Sequence, residues 1–231
     1  MILNIETSAN VCSVALSKDG KLIDTLESYE PNSHSRLLTL FIQEIVKKNG
    51  ISFEDLKAIA VSEGPGSYTG LRIGVSTAKG LAYSLGIPMI AIDTLRIMCI
   101  GALSSGLDIE TINPILCPMI DARRMEVYTA FYDSALNKIS ETSNLIIDKY
   151  SFQTPLQYRQ IVFFGNGAEK CKDTITHPNA IFLDNIVALS KNMVKLSFEK
   201  FKNKVFVDVA YFEPFYLKPF IATVAKDKLK S

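Results

Sequence analysis

The sequence predicts an α/β fold in which two similar halves each form a mixed sheet flanked by helices. Three observations support this prediction. The chain opens with three short strands, it continues with strands and helices in alternation, and a similar order of elements recurs after residue 105. A meander that runs into alternating strands and helices is typical of a mixed sheet with helices on its faces.

The three opening strands are indicated by apolar and alternating segments. Residues 2–5 form an apolar run, and residues 11–17 and 21–25 flank Lys18-Asp19-Gly20. Asp-Gly between two alternating segments is a strong hairpin signal, because the tight turn needs residues that accept a positive φ.

Helical spacing follows the meander. Apolar side chains recur every three or four positions through residues 37–46, Asn32 or Ser33 can cap the start, and Gly50 can end the helix. The remaining elements predicted in this half are a strand at 58–61, a helix from Tyr68 to Ser84 ended by Gly86, and a strand at 89–92.

The second half echoes the first. An apolar run at 115–120 ends in Asp121, as the first run of the chain ends in Glu6. The other elements predicted here are strands at 126–132, 138–147 and 161–164, the turn Gly165-Asn166-Gly167, and a long amphipathic helix through Val187, Leu189, Met193, Leu196 and Phe201. We therefore predict two lobes, residues 1–105 with the order β-β-β-α-β-α-β and residues 106–231 as a degenerate repeat of it.

Composition narrows the class of function. The 25 basic and 24 acidic residues nearly balance, which argues against a protein that grips nucleic acid alone, since phosphate binding needs concentrated cations. Four scattered cysteines without a C-x-x-C pair indicate buried thiols in a reducing compartment. An acid interrupts the first apolar run and no run approaches the ~20 residues of a membrane span, so we expect a cytoplasmic protein.

The stretch GPGSYTGLRIGVSTAKGLA raises the main question about function. On a helical wheel with ~100° per residue, Gly70 and Gly74 share one edge with Thr77, Ala78 and Leu81, so this edge carries few side-chain atoms. Each helical glycine costs about 1 kcal/mol relative to alanine, so a close contact must offset the loss. That contact could be with the chain's own sheet, with a second subunit or with a ligand.

The sequence lacks motifs that several catalytic functions require. No G-x-x-x-x-G-K-[ST] string occurs, and residues 64–70 are one residue away from the dinucleotide fingerprint G-x-G-x-x-G. Asp93 at the end of the next strand supports a nucleotide-binding enzyme as an alternative, whereas Pro65 removes a backbone N–H from the turn. His34 and His177 form no H-x-x-x-H pair, so we predict no metal site.

The string GPGSYTGLRIG closely resembles the signature of the TsaB (YeaZ) family. The resemblance extends in order along nearly the whole chain, through Ile5-Glu6-Thr7-Ser8, Asp121-Ala122-Arg123 with Glu126-Val127-Tyr128, Gly165-Asn166-Gly167-Ala168 and Pro214-Phe215-Tyr216-Leu217-Lys218. It implies the two-lobed actin-like and Hsp70-like ATPase fold, which is ribonuclease H-like, with a mixed sheet flanked by helices in each lobe.

The resemblance also implies a function. Family members are partners of the catalytic subunit TsaD, and with the ATPase TsaE the pair transfers a threonylcarbamoyl group to N6 of an adenosine in tRNA. The catalytic subunit's H-x-x-x-H metal motif has no counterpart here, which implies a non-catalytic subunit without catalytic residues. The implied partners are a TsaD-like subunit and a TsaE-like ATPase, a second copy when the chain is alone, and tRNA only through the complex. A glycoprotease-like metallopeptidase and a nucleotide-binding enzyme are the alternatives.

Site residues follow from the same resemblance. The family's glycine helix lies in the contact with the catalytic subunit, which implies an interface of Gly70, Leu71, Gly74, Thr77, Ala78 and Leu81. The candidates for nucleotide binding are Glu6, Thr7, Ser8, Gly165 and Gly167. Family members generally have Asp at the position of Glu6, and the longer side chain makes independent ATP use less expected. We therefore expect no cofactor in the isolated chain, and ATP or ADP only in the assembled complex.

Overall fold

The structure is a computed structural model that describes residues 1–106 and 113–218. The elements of the first lobe are β1 (Ile2–Glu6), β2 (Cys12–Lys18), β3 (Lys21–Ser28), α1 (His34–Lys48), a 3-10 turn (Phe53–Asp55), β4 (Ala58–Gly64), α2 (Tyr68–Leu85), β5 (Met89–Asp93) and α3 (Thr94–Leu103). Its five strands lie in the order β3-β2-β1-β4-β5. Asp19 and Gly20 have φ values of 51° and 75°, which confirms the tight hairpin turn between β2 and β3.

The second lobe repeats this arrangement. Its elements are β6 (Ile115–Asp121), β7 (Glu126–Thr129), β8 (Ser143–Ile146), α4 (Gln153–Tyr158), β9 (Ile161–Phe164), a 3-10 turn (Glu169–Cys171), β10 (Ala180–Leu183), a 3-10 turn (Ser190–Met193) and α5 (Val194–Lys202). The strands lie in the order β8-β7-β6-β9-β10. In each lobe the central strand is antiparallel to the next strand and parallel to the fourth, so both sheets are mixed, as predicted.

Parts of the second predicted lobe lie outside the residues that the structure describes. Residues 107–112, which follow the predicted boundary between 105 and 106, and residues 219–231, which end the second predicted lobe, lie outside the described residues. The boundary therefore stays a prediction. In the part of the chain that is described, no helix is both long and apolar enough to cross a bilayer.

Apolar side chains from both lobes form one shared core. A cluster between the sheets contains Ile90 and Leu95 of the first lobe together with Leu116, Tyr132 and Phe164 of the second. Each such side chain contributes roughly 1.5–3 kcal/mol when it is fully buried. A second cluster lies on the other face of the first sheet, where α1 and α2 cover it. Because α2 lies on this outer face, one of its sides is directed away from the protein.

The ends of α2 follow from local sequence. The Ser67 side chain accepts a hydrogen bond from the Gly70 backbone N–H at 3.3 Å, which caps the first turn. Gly86 takes the left-handed conformation, with φ of 64°, and ends the helix as predicted.

Three predicted elements of the second lobe are shorter in the structure. The strands predicted at 126–132 and 138–147 are shorter, at Glu126–Thr129 and Ser143–Ile146. The helix predicted to run through Val187 begins only at Val194, and Leu189 is extended. The Ser190 backbone N–H donates to Ser13 Oγ of β2 at 2.9 Å, so this segment is held against the first sheet before the helix begins.

Candidate interaction surface

The glycine edge of α2 packs against the chain's own backbone after β1. A Cβ on Gly70 would lie 2.1 Å from the Thr7 carbonyl oxygen, and a Cβ on Gly74 would lie 2.2 Å from Thr7 Oγ1. The Thr7 hydroxyl donates to the Gly70 carbonyl oxygen at 2.8 Å. Two of the helical glycines are therefore required by an internal contact.

This contact bears on the predicted interface. Gly70, Leu71, Gly74 and Ala78 were expected at a subunit interface, but all four are buried within the lobe. Thr7, which follows β1, covers Gly70 and Gly74, so these two positions offer little surface in this packing, and their contact with a partner stays a prediction. The other two residues, Thr77 and Leu81, are half-buried, and their contact with a partner stays a prediction.

The opposite side of α2 is exposed, and we call it the outward face. It consists of Thr69, Arg72, Ser76, Gly80 and Tyr83. Tyr83 is 83% exposed, and among the described residues no heavy atom lies within 4 Å of a Cβ built on Gly80. The outward face thus combines a large apolar ring with a helical glycine that has no internal contact to explain it.

A segment from the end of the chain borders this face. Residues 205–218, which we call the C-terminal strap, leave the second lobe after α5 and cross the first lobe. Lys79 Nζ of α2 donates to the carbonyl oxygens of Ala210 and Phe212 at 3.0 and 3.1 Å. The Phe215 backbone N–H donates to the Glu63 carbonyl oxygen at 2.7 Å. The strap then returns to the second lobe, where Lys218 pairs with Glu126 of β7.

A cavity of about 280 Å³ lies between α2 and the strap. The Tyr68 ring packs on the Tyr216 ring with centroids 4.7 Å apart, and the Arg72 guanidinium carbon lies 5.2 Å from the Tyr68 centroid. Ser76 and Glu213 also line the cavity. The sequence analysis missed this feature, although the helical wheel already places Arg72 and Ser76 opposite the glycine edge.

The residues considered for nucleotide binding in the first lobe are used in packing. Glu6, Thr7 and Ser8 are each at most 1% exposed. Glu6 Oε1 accepts from the Ser8 backbone N–H at 2.6 Å, and the Ser67 backbone N–H donates to the Ser8 carbonyl oxygen at 2.6 Å. Burial raises the pKa of the Glu6 carboxyl group, which disfavours the charged form that a metal ion would need. In this arrangement the three side chains are not accessible to a nucleotide.

The glycines considered in the second lobe are also in close internal contact. A Cβ on Gly165 would lie 2.3 Å from the Met119 carbonyl oxygen, and one on Gly167 would lie 2.9 Å from the Asp121 backbone nitrogen. Their lack of a side chain is therefore explained by the neighbouring strand β6, without a ligand.

Asp93 and the potential metal ligands are the residues on which the nucleotide-binding and metallopeptidase alternatives depend. Asp93 Oδ1 accepts from the backbone N–H groups of Leu95 and Arg96 at 2.8 and 3.3 Å, so this carboxylate caps α3. Its Oδ2 accepts from the Tyr132 hydroxyl, so it is not free for a ribose. Within residues 1–106 and 113–218, no group of three His, Cys, Asp or Glu side chains is placed to hold a metal ion.

Two lobes of one topology, joined through a shared core, define the class of two-lobed α/β proteins with the actin-like ATPase fold. The activator of the 2-hydroxyisocaproyl-CoA dehydratase from Clostridium difficile, solved with bound ADPNP, has this fold at 8% identity, with a TM-score of 0.50 over 88% of this chain and 96% of that one. YeaZ from Pseudomonas aeruginosa is more similar in structure, with a TM-score of 0.79 and 23% identity over 94% of this chain and 99% of that one.

Sequence comparison defines the family. Residues 30–218 match the family model of TsaD, tRNA N6-adenosine threonylcarbamoyltransferase. The tRNA threonylcarbamoyladenosine biosynthesis protein TsaB of Escherichia coli (strain K12) is 32% identical over 227 residues, which cover 96% of each chain. The chain belongs to the TsaB (YeaZ) family.

Proposed function

We propose that this chain is the non-catalytic interaction subunit of a tRNA N6-adenosine threonylcarbamoyltransferase complex, and that the outward face of α2 binds the TsaD-like catalytic subunit. Gly80 is the observation that carries the proposal. A glycine within a helix costs about 1 kcal/mol relative to alanine, and Gly80 has no close neighbour among the described residues. A partner backbone lying against the helix at Gly80 offsets that cost.

Large exposed side chains on α2 and on the segments that contact it support a protein partner. Tyr83 is 83% exposed one turn further along α2, Leu40 of the neighbouring helix α1 is 52% exposed, and Tyr211 of the strap is 85% exposed. Exposed aromatic residues are enriched at protein interfaces, where one large ring contributes much of the binding energy.

The non-catalytic role is supported by the positions of the histidines and by the packing of the Glu6-Thr7-Ser8 segment. Its two histidines, His34 and His177, are too far apart to form an H-x-x-x-H motif, and the Glu6-Thr7-Ser8 segment is covered by the start of α2. The proposal includes no cofactor in the isolated chain, with ATP or ADP only in the assembled complex. A TsaE-like ATPase joins the complex, tRNA is reached through it, and a second copy covers α2 when the chain is alone.

Substitution of Gly80 by leucine tests the proposal. Because the position is exposed and helical, Gly80→Leu should fold with unchanged or higher stability. The added side chain should hold a partner backbone away and weaken binding to the TsaD-like subunit at least about tenfold, measured by titration calorimetry. Glu199→Leu on the exposed side of α5 is the matched control and should bind as the wild type does.

The outcomes separate the two parts of the proposal. If the wild-type chain does not bind the TsaD-like subunit, the proposed function is wrong. If the wild type binds and Gly80→Leu binds equally well, the function stands and the outward face of α2 is not the interface.

A further inference from the structure

The cavity between α2 and the C-terminal strap is lined by several groups that can donate a hydrogen bond. The donors are the Arg72 guanidinium group, the Ser76 and Tyr216 hydroxyls and the Lys79 ammonium group. Lys79 uses two of its three protons on the strap carbonyls, which leaves one for the cavity. Glu213 is the acidic side chain among the described residues that line the cavity.

Arg72 is held in place without being neutralised. Its guanidinium group lies over the Tyr68 ring, which is a favourable cation–π position, and its N–H edge is left for other contacts. Within the described part of the chain, Arg72 makes no hydrogen bond or ion pair, and Glu213 does not pair with it although both line the cavity. An exposed, oriented guanidinium fork is suited to a carboxylate, which it binds through two parallel hydrogen bonds.

The strap fixes the opposite wall. Tyr216 packs on Tyr68 with ring centroids 4.7 Å apart, and the preceding residue, Phe215, is tied to the Glu63 carbonyl oxygen at 2.7 Å. The two walls are therefore set before a ligand arrives, so less conformational entropy is lost when one binds.

We propose that this cavity receives the carboxylate of an aspartate or glutamate side chain from the protein that lies along α2. This inference rests on the proposed function, because the same partner supplies the acid. The cavity has a net charge of +1, from the positive charges of Arg72 and Lys79 and the negative charge of Glu213. This charge suits a carboxylate with a single negative charge. A volume of about 280 Å³ accommodates one side chain, and Arg72 and Ser76 open onto the outward face where the partner would lie.

Replacement of Arg72 by methionine tests the inference, because methionine keeps the length and helix propensity and removes the charge. Arg72→Met should weaken binding to the TsaD-like subunit by about 10- to 100-fold, since a hydrogen-bonded charge pair is lost. The affinity of the wild type should fall between about 50 and about 300 mM salt, and that of the variant should fall less. Arg72→Lys should restore part of the affinity, and Lys195→Met on α5 should change nothing.

The partner side offers a second measurement. When each acidic residue of the TsaD-like subunit that faces α2 is replaced by its amide, one replacement should show a coupling to Arg72→Met in a double-mutant cycle. The melting temperature of Arg72→Met should equal that of the wild type, because the side chain is exposed.

Several results would overturn the inference. One is an Arg72→Met variant that keeps wild-type affinity and salt dependence while Gly80→Leu loses binding; the proposed function then stands without the carboxylate. Another is an effect of Arg72→Met that is seen in the full chain but not in a chain ending at Lys218. Residues 219–231, and not a partner, would then be the occupant of the cavity. A third is binding of inorganic phosphate to the isolated wild type, abolished by Arg72→Met, without any coupling to a partner acid. Loss of all binding by the wild type contradicts the proposed function instead.

Discussion

The hydroxyl group of Tyr132 donates a hydrogen bond to Asp93 Oδ2 at 2.9 Å, and this bond joins the two lobes. Asp93 ends β5 in the first lobe, and Tyr132 follows β7 in the second. Lys138 Nζ lies 2.5 Å from the same oxygen. Because Asp93 Oδ1 also caps α3, one carboxylate both starts this helix and holds it against the second sheet.

Removal of the Tyr132 hydroxyl should destabilise the whole protein and not one lobe. Tyr132→Phe keeps the buried ring and loses a hydrogen bond to a charged acceptor, so we expect a loss of about 1.5–3 kcal/mol in the free energy of unfolding. Urea denaturation should show one transition shifted to lower urea. Tyr158→Phe is the control, since Tyr158 is 79% exposed and should unfold as the wild type does. A Tyr132→Phe variant with wild-type stability would show that the bond contributes nothing to joining the lobes.

Substitution by alanine should destabilise the protein at two of the three glycines of α2 and stabilise it at the third. Gly70→Ala and Gly74→Ala each place a Cβ within 2.2 Å of Thr7, so either α2 or the end of β1 must move, and we expect losses above about 2 kcal/mol. Gly80→Ala meets no atom among the described residues and should gain up to about 1 kcal/mol from helix propensity. Thermal unfolding of the three variants in one buffer makes the comparison.

Gly80→Ala is also the internal control for the other two variants, because all three add the same methyl group to one helix. If Gly70→Ala and Gly74→Ala were as stable as Gly80→Ala, the close packing of α2 on Thr7 would be wrong. The glycine edge would then be available again for a second subunit.

The sequence predicts the strands and both long helices of the first lobe well, because each has a one-sided apolar pattern and a clear stop signal such as Asp19-Gly20 or Gly86. Helix α3 was missed for a physical reason. It lies in the core shared by the lobes, and six of its ten residues are buried, so it lacks a broad polar face. Its one local signal is the Asp93 cap, which the sequence analysis assigned only as the end of a strand.

The candidate surface shows a different limit of sequence analysis. Spacing correctly indicates that α2 needs a close contact at Gly70 and Gly74, but it cannot identify the contacting group. That group is Thr7, which is 63 positions away from Gly70 in the chain. The strap was missed for a related reason, since its partners are distant in the chain: backbone hydrogen bonds join it to Glu63 and Met89.

The Glu6 carboxyl group should make stability depend on pH. Burial raises its pKa above the ordinary value of 4.5, and the hydrogen bond from the Ser8 backbone N–H lowers it less. An acid with a raised pKa in the folded state contributes its stability fully below its unfolded pKa. That contribution is lost as pH rises through the folded pKa, because the folded state must either keep a proton that the unfolded state releases or hold a buried charge.

Glu6→Gln should therefore be more stable than the wild type at neutral pH, and the difference should shrink towards acid. The glutamine keeps an oxygen that accepts the Ser8 backbone N–H and carries no charge. Glu6→Ala loses that acceptor and leaves a cavity, so it should be about 2 kcal/mol or more less stable. The free energy of unfolding, measured in urea from about pH 5 to about pH 8, gives the three curves. Glu199→Gln at an exposed position should run parallel to the wild type, and a Glu6→Gln curve that also ran parallel would show that Glu6 does not titrate with folding.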